Sequence, residues 1–205
     1  ALTQLHLGST AVSDLGVLQG MPLRELRLNH TSVHDLSPLR GMPLTVLHVS
    51  QTRVTDLAPL AGMPLQELEC GVTGVRDLGV LAGMPLRQLG LKRTRVRDLG
   101  PLQGMPLTRL DLSGAGGVHR IDSLEGMPLE WLSLSATRVD TLEALRGMPL
   151  EKLHLGATPV ADLGPLAGMP LSTLLAERTR IEDLQPLAGM SLKVLTLQHT
   201  KVDDI

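Results

Sequence analysis

Eight aspartates in this chain share one spacing. Asp14, Asp35, Asp56, Asp77 and Asp98 recur every 21 residues, and Asp162, Asp183 and Asp204 resume the series. If each interval is one turn of a stacked structure, the carboxylates form a column about 5 Å apart. Such a column could hold Ca²⁺, which takes about 6–8 oxygen ligands. One carboxylate per turn, without supporting Asp or Asn neighbours, supplies too few. Each Asp instead precedes a Leu-x-x-Leu step, as Asp35 precedes Leu36-Ser37-Pro38-Leu39, and that is the signature of a capped helical start. Capping is therefore the expected role. Thr141 can substitute in the column, whereas Arg120 cannot.

Other chemistry-bearing residues read the same way. All nine methionines follow a glycine, from Met21 to Met190. Thioethers are soft enough for copper(I), but each Met occupies the same corner between Gly and Pro or Ser, so a packing role is expected. Cys70 stands at a position that is Leu28, Leu91 or Leu112 in other intervals, and is read as a small buried hydrophobe rather than a nucleophile. Among the seven histidines, His6, His48 and His154 share one column, but Arg27 separates the first two. Two intervals of a sheet put them about 10 Å apart, too far to share a zinc. His30 and His34 lie in one turn, with no second pair to complete a site. No Ser/His/Asp or Cys/His set converges. The stretch "SGAGGV" (Ser113–Val118) resembles a phosphate loop only in glycine content and precedes no long helix; a bulged turn is expected there. Neither a catalytic residue, a cofactor site nor a metal site is predicted.

What must position these residues is a repeat. The unit L-x-x-L-x-L-x-x-T-x-V-x-D-L-x-x-L-x-G-M-P begins ten times, at Leu2, Leu23, Leu44, Leu65, Leu86, Leu107, Leu129, Leu150, Leu171 and Leu192, which define copies one to ten. Every step is 21 residues except one of 22, between Leu107 and Leu129. Within a copy, L-x-L alternates with period two and predicts a short strand with one face buried. In copy two this strand is placed at about Glu25–Asn29, with Leu26 and Leu28 inward. Thr31 follows, where a hydroxyl could bond a neighbouring turn's backbone and build a ladder between copies. Val33 returns to the core. Only five residues separate Asp35 from Gly41, too few for a full α-helix, so a single 3₁₀ turn is predicted. One copy leaves both flat ends bare and cannot fold alone; stacking buries them and aligns the strands in parallel. Ten strands span roughly 43 Å.

The unit resembles the leucine-rich repeat, with Thr where that family usually carries Asn. Its V-x-D-L-x-P-L stretch, as in Val33–Leu39, is similar to the bacterial, internalin-like class, whose units usually have 22 residues. The resemblance covers the whole chain. It implies an α/β fold: a right-handed solenoid with ten parallel strands on a concave face and 3₁₀ turns and loops on the convex face, forming one domain over residues 1–205. It also implies protein binding through the concave face and no enzyme activity.

Composition is consistent with this. The chain of 205 residues has no Phe or Tyr and one Trp, so its core must be many small aliphatic layers rather than one irregular centre. A net charge of −2 recommends neither nucleic acid nor an acidic membrane. No apolar run reaches the ~20 residues of a membrane helix. A lone cysteine, and a first copy that begins without a signal peptide, favour a cytoplasmic location. No polar cap is seen at either end, which makes self-association through the ends a further expectation.

The positions free to vary face solvent, and copies five to seven concentrate the irregularities. Here lie the only inserted residue, Ala115 in place of the column Thr, both breaks in the Asp column, the only Trp and the densest basic cluster. An irregular copy disturbs packing and is explained if binding gains from it. The predicted partner surface comprises Lys92, Arg93, Arg95, Arg97, Arg109, Asp111, Trp131, Ser133 and Arg138, with Trp131 as an exposed anchor. Setting the eight column aspartates aside turns the net charge of −2 into +6, so the loop edge should be basic. Three readings follow: a protein or peptide interaction module, a polyanion-binding module using the arginine edge, or a structural spacer. Missing aromatic residues weaken single-stranded nucleic acid as a ligand, and no small-molecule substrate is expected.

Overall fold

A computed structural model describes residues 2–203. Asp204, the last member of the aspartate column, lies outside the described residues. One parallel sheet runs through the molecule in strict chain order, β1 to β10. The strands are Gln4–His6, Glu25–Arg27, Val46–His48, Glu67–Glu69, Gln88–Gly90, Arg109–Asp111, Trp131–Ser133, Lys152–His154, Thr173–Leu175 and Val194–Thr196. Each is three residues long, shorter than the five expected for copy two, although the interstrand bonding continues beyond it, as where Leu28 N–H donates to His48 O at 2.7 Å.

The register repeats the sequence. Leu5 pairs with Leu26 and Leu26 with Leu47, so equivalent positions stack into columns. Leu23, Leu26, Leu28, Val33, Leu36 and Leu39 are all essentially inaccessible, as are their counterparts in the inner copies. Each such burial contributes about 1.5–3 kcal/mol relative to exposure. The 22-residue copy leaves the register intact: Arg109 still pairs with Trp131 and Leu110 with Leu132. Its extra residue is absorbed after the strand, in the loop at 114–117.

The helical component consists of single 3₁₀ turns, such as Ser37–Leu39, as the short Asp-to-Gly span predicts. The aspartates cap them. Asp35 Oδ1 accepts the Ser37 N–H at 2.8 Å, and Asp14, Asp56, Asp77, Asp98, Asp162 and Asp183 repeat the bond at 2.7–2.8 Å. That bond holds the Asp35 carboxyl below its usual range. Thr141 makes a longer version, 3.4 Å to Glu143 N, and Arg120 instead pairs with Asp122 at 2.8 Å. Met42, Met63 and the other inner methionines fill the corners, 2–6% exposed.

One expectation is corrected. The column threonines do not bond between copies: Thr31 Oγ1 donates to Leu28 O of its own turn at 2.7 Å, and the others repeat this at 2.6–2.8 Å. A hydroxyl three residues past a strand carbonyl reaches it sooner than it reaches the next layer. Copies are instead coupled by backbone, as where His30 N–H donates to Ser50 O. A further feature, which the repeat pattern did not signal, is that the residue before each column Thr adopts a left-handed backbone. Gly114 takes this place in copy six (φ 71°), but His30, Gln51, Val72, Arg93 and Arg178 adopt it too, at φ 52–59°. For Val72, whose side chain branches at Cβ, that conformation is strained.

Candidate functional site

The predicted partner residues separate into two neighbouring groups. The first is on the open sheet face. Trp131 leads β7, and its register neighbours put Arg109 on one side and Lys152 on the other. The Arg109 guanidinium lies 3.6 Å above the indole, and His154 meets the ring edge-on, with centroids 5.2 Å apart and planes at 73°. Trp131 is thus half-buried between its neighbours, which corrects the expectation of a freely exposed anchor. Burial also lowers the basicity of His154. Ser133, two residues on, stands in register between Asp111 and His154 on the same face but is only 3% exposed. Asp111 turns back to accept the Ser113 N–H at 2.8 Å.

Next to this patch lies a group that the sequence reading passed over. The Glu69 carboxylate leans over Gly90, where any Cβ would overlap it. Burial pushes its pKa up to about 7, helped by Asp111 and Glu67 and opposed by Arg109. The signal was present: Gly90 is the only glycine in that strand column, directly beside Glu69. Elsewhere on the face, histidines engage glutamates of the following copy, with His6 Nε2 2.8 Å from Glu25 Oε1 and His48 Nε2 2.6 Å from Glu67 Oε1. Arg27 joins the first pair and, with His6, holds the Glu25 carboxyl low.

The second group is on the loop edge. Arg95, Arg97 and Arg138 come together with Arg76 and His119 around a cleft of about 860 Å³ whose floor is Gly116–Gly117. Arg76 and His119 were not in the predicted set. Arg76 stands in the same loop column as Arg97, one copy earlier, and that shared column was the available signal. Lys92 and Arg93 lie between the two groups: Lys92 packs its stem near Gly71, and Arg93 lies against Gly114.

The cleft has a structural origin. In most copies, the residue after Thr donates its N–H to the preceding copy's Val carbonyl, as Arg95 to Val75 O (2.9 Å) and Arg138 to Val118 O (2.9 Å). Copy six turns inward on itself, with Gly116 N–H donating to Gly114 O and Val118 N–H to Ala115 O, each at 2.9 Å. Val96 O is left without a backbone N–H from that copy among the described residues. At Gly117 a Cβ would come within 2.6 Å of Arg97 Cγ and 2.8 Å of Val96 O, so only glycine allows this approach.

Cys70 is fully buried; burial pushes its thiol up to about 12, so it packs as a hydrophobe and is not a reactive thiolate. Among the described residues, no cluster of three or more His, Cys, Asp or Glu could hold a metal ion. No helix among them is long and apolar enough to cross a membrane.

An in-register parallel sheet, one short turn per copy and a variable open face define a leucine-rich-repeat solenoid. Solved structures of Listeria monocytogenes internalins share the architecture. InlF matches with a TM-score of 0.78 at 23% identity, over 100% of this chain and 69% of that one. Internalin C2 matches at 0.64 and 23%, over 98% and 79%. The functional domain of InlJ, described as including a cysteine ladder, matches at 0.68 and 19%, over 100% and 55%. Here the equivalent interior carries one cysteine, Cys70. No protein-family model and no curated protein sequence matches this chain.

Proposed function

We propose that this solenoid is a non-enzymatic interaction module that binds a protein or peptide across the sheet face and the adjoining loop edge of copies five to seven. The observation that carries the reading is the Arg109–Trp131–His154 stack on the open face. It presents the only Trp of a chain without Phe or Tyr, already ordered by its neighbours, next to arginines that make no ion pair among the described residues. An aromatic and arginine pair held in place loses little freedom on binding and suits an interface anchor. Asp111, Lys92 and Arg93 would form the polar rim.

Parallel affinity capture with the wild-type chain and a Trp131→Ala, Arg109→Ala variant tests this. A protein retained by the first and lost by the second supports it, and for such a partner Trp131→Ala should cost about 2 kcal/mol or more of binding. Equal recovery of the same proteins on both would remove this face from the site. A polyanion-binding module is the second reading, favoured by the arginine cleft; the lack of Trp, Tyr or Phe around the cleft weighs against single-stranded nucleic acid.

A further inference from the structure

The loop-edge cleft carries more than its positive charge. Arg76, Arg95, Arg97 and Arg138 are exposed, and none makes an ion pair or side-chain hydrogen bond among the described residues. Three arginines outside the cleft are paired, Arg27 with Glu25, Arg120 with Asp122 and Arg146 with Glu143, and others, such as Arg24 and Arg40, stand singly along the surface among the described residues. Asp77 and Asp98, which directly follow Arg76 and Arg97 in sequence, are engaged in capping their own 3₁₀ turns. Four guanidiniums thus border one cleft without a counter-charge.

Their order follows from the repeat. Arg76 and Arg97 occupy one loop column in copies four and five, and Arg95 and Arg138 occupy a parallel column in copies five and seven. In the second column Gly117 stands between Arg95 and Arg138; the Arg97 stem already fills the place of a Cβ there, whereas the space beside Gly116 is open. Copies four to seven span roughly 14 Å. This is a shallow trough with guanidiniums along both sides, long enough for about four residues of extended peptide at ~3.4 Å each. Guanidinium forks pair with carboxylates bidentately, and carboxylates on alternate residues of an extended chain recur about every 7 Å.

We infer that this cleft receives an extended acidic segment, rich in Glu or Asp, of a protein partner. The inference rests on the reading of the chain as a protein-interaction module and names the chemistry that its loop edge selects. Charge complementarity, the trough's length and the glycine floor support a peptide chain. A nucleobase would find no Trp, Tyr or Phe to stack on there, only the His119 ring.

Fluorescence anisotropy with a labelled Glu-rich decapeptide provides the test, with its Gln counterpart, a heparin hexasaccharide and a decathymidylate as competing probes. Saturable binding of the Glu peptide that weakens with salt, no binding of the Gln peptide, and at least a tenfold loss in Arg76→Ala/Arg97→Ala/Arg138→Ala are expected. Replacing the distant exposed Arg24 and Arg40 by Ala should leave affinity unchanged. These sites are all on the surface, and unaltered circular dichroism would show each variant folded. No binding of the Glu peptide at low salt, or equal affinity for the cleft and control variants, overturns the inference. Tighter, cleft-dependent binding of heparin or oligonucleotide also overturns it, assigning the site to another polyanion. The broader reading fails separately, when captured partners do not depend on Trp131 and Arg109.

Discussion

The guanidinium of Arg109 lies 3.6 Å above the indole of Trp131, one strand away on the open face of the sheet. Because Trp131 is the only Trp and the chain has no Tyr, its fluorescence reports on this stack alone. Arg109→Ala should shift the emission to the red and increase quenching by acrylamide, with a stability loss below about 1 kcal/mol. An unchanged spectrum would mean that Arg109 does not cover the ring in solution.

Glu69 should make the fold more stable in mild acid. Its carboxyl titrates near 7 in the folded chain against an ordinary value of 4.5. Between those values the folded state holds the proton more tightly than the unfolded one, so stability falls as pH rises from 4.5 through 7. We expect Glu69→Gln to remove about 1–2 kcal/mol of that loss, read as the difference in urea midpoints at pH 5 and pH 8. The groups around the carboxyl are Glu67, Asp111 and Arg109.

Gly90→Ala provides a test of the cause without deleting the charge. The new methyl overlaps the carboxylate position, so Glu69 must swing into water and the pH slope should flatten as it does in Glu69→Gln. A wild-type slope in Gly90→Ala would show that burial over Gly90 is not what raises the pKa.

Val72 is held at φ 56° and its side chain is 42% exposed. Val72→Asn exchanges a β-branched residue for one that tolerates this conformation. It should raise stability by about 1 kcal/mol, measured as a higher urea midpoint at unchanged slope. A lower midpoint would show that Val72 packing outweighs its backbone strain.

Asp56→Ala should cost about 1 kcal/mol by leaving the Ala58 N–H uncapped, while Asp56→Asn should retain most of that stability through its amide oxygen. Equal losses in both variants would assign the column's role to charge rather than to the hydrogen bond.

Much of this protein was determined by sequence alone. The 21-residue interval dictates stacking, because one copy cannot bury its own ends. L-x-L dictates which strand face is buried, and the short span from Asp35 to Gly41 dictates a 3₁₀ turn. These are local rules repeated ten times, so each copy confirms its neighbour. The left-handed residue before each Thr stayed hidden because His30, Gln51, Val72 and Arg93 stand where only copy six shows a glycine. The Thr hydroxyls were read as links between copies because spacing alone does not tell which of two nearby carbonyls is closer.

The tertiary structure decided how outward residues from different copies meet. Trp131 is hemmed in because register places Arg109 beside it in one neighbouring strand, while His154 of the other strand, two residues past Lys152, reaches the ring edge. Glu69 is half-buried because its neighbour in the next strand lacks a side chain. Arg76 joins Arg138, three copies away, because the inserted residue in copy six is taken up by a turn that draws the backbone inward at Gly116–Gly117. Such meetings depend on side-chain direction and on local departures from the repeat. Periodicity specifies the layers, but the contacts across them arise only once the layers are stacked.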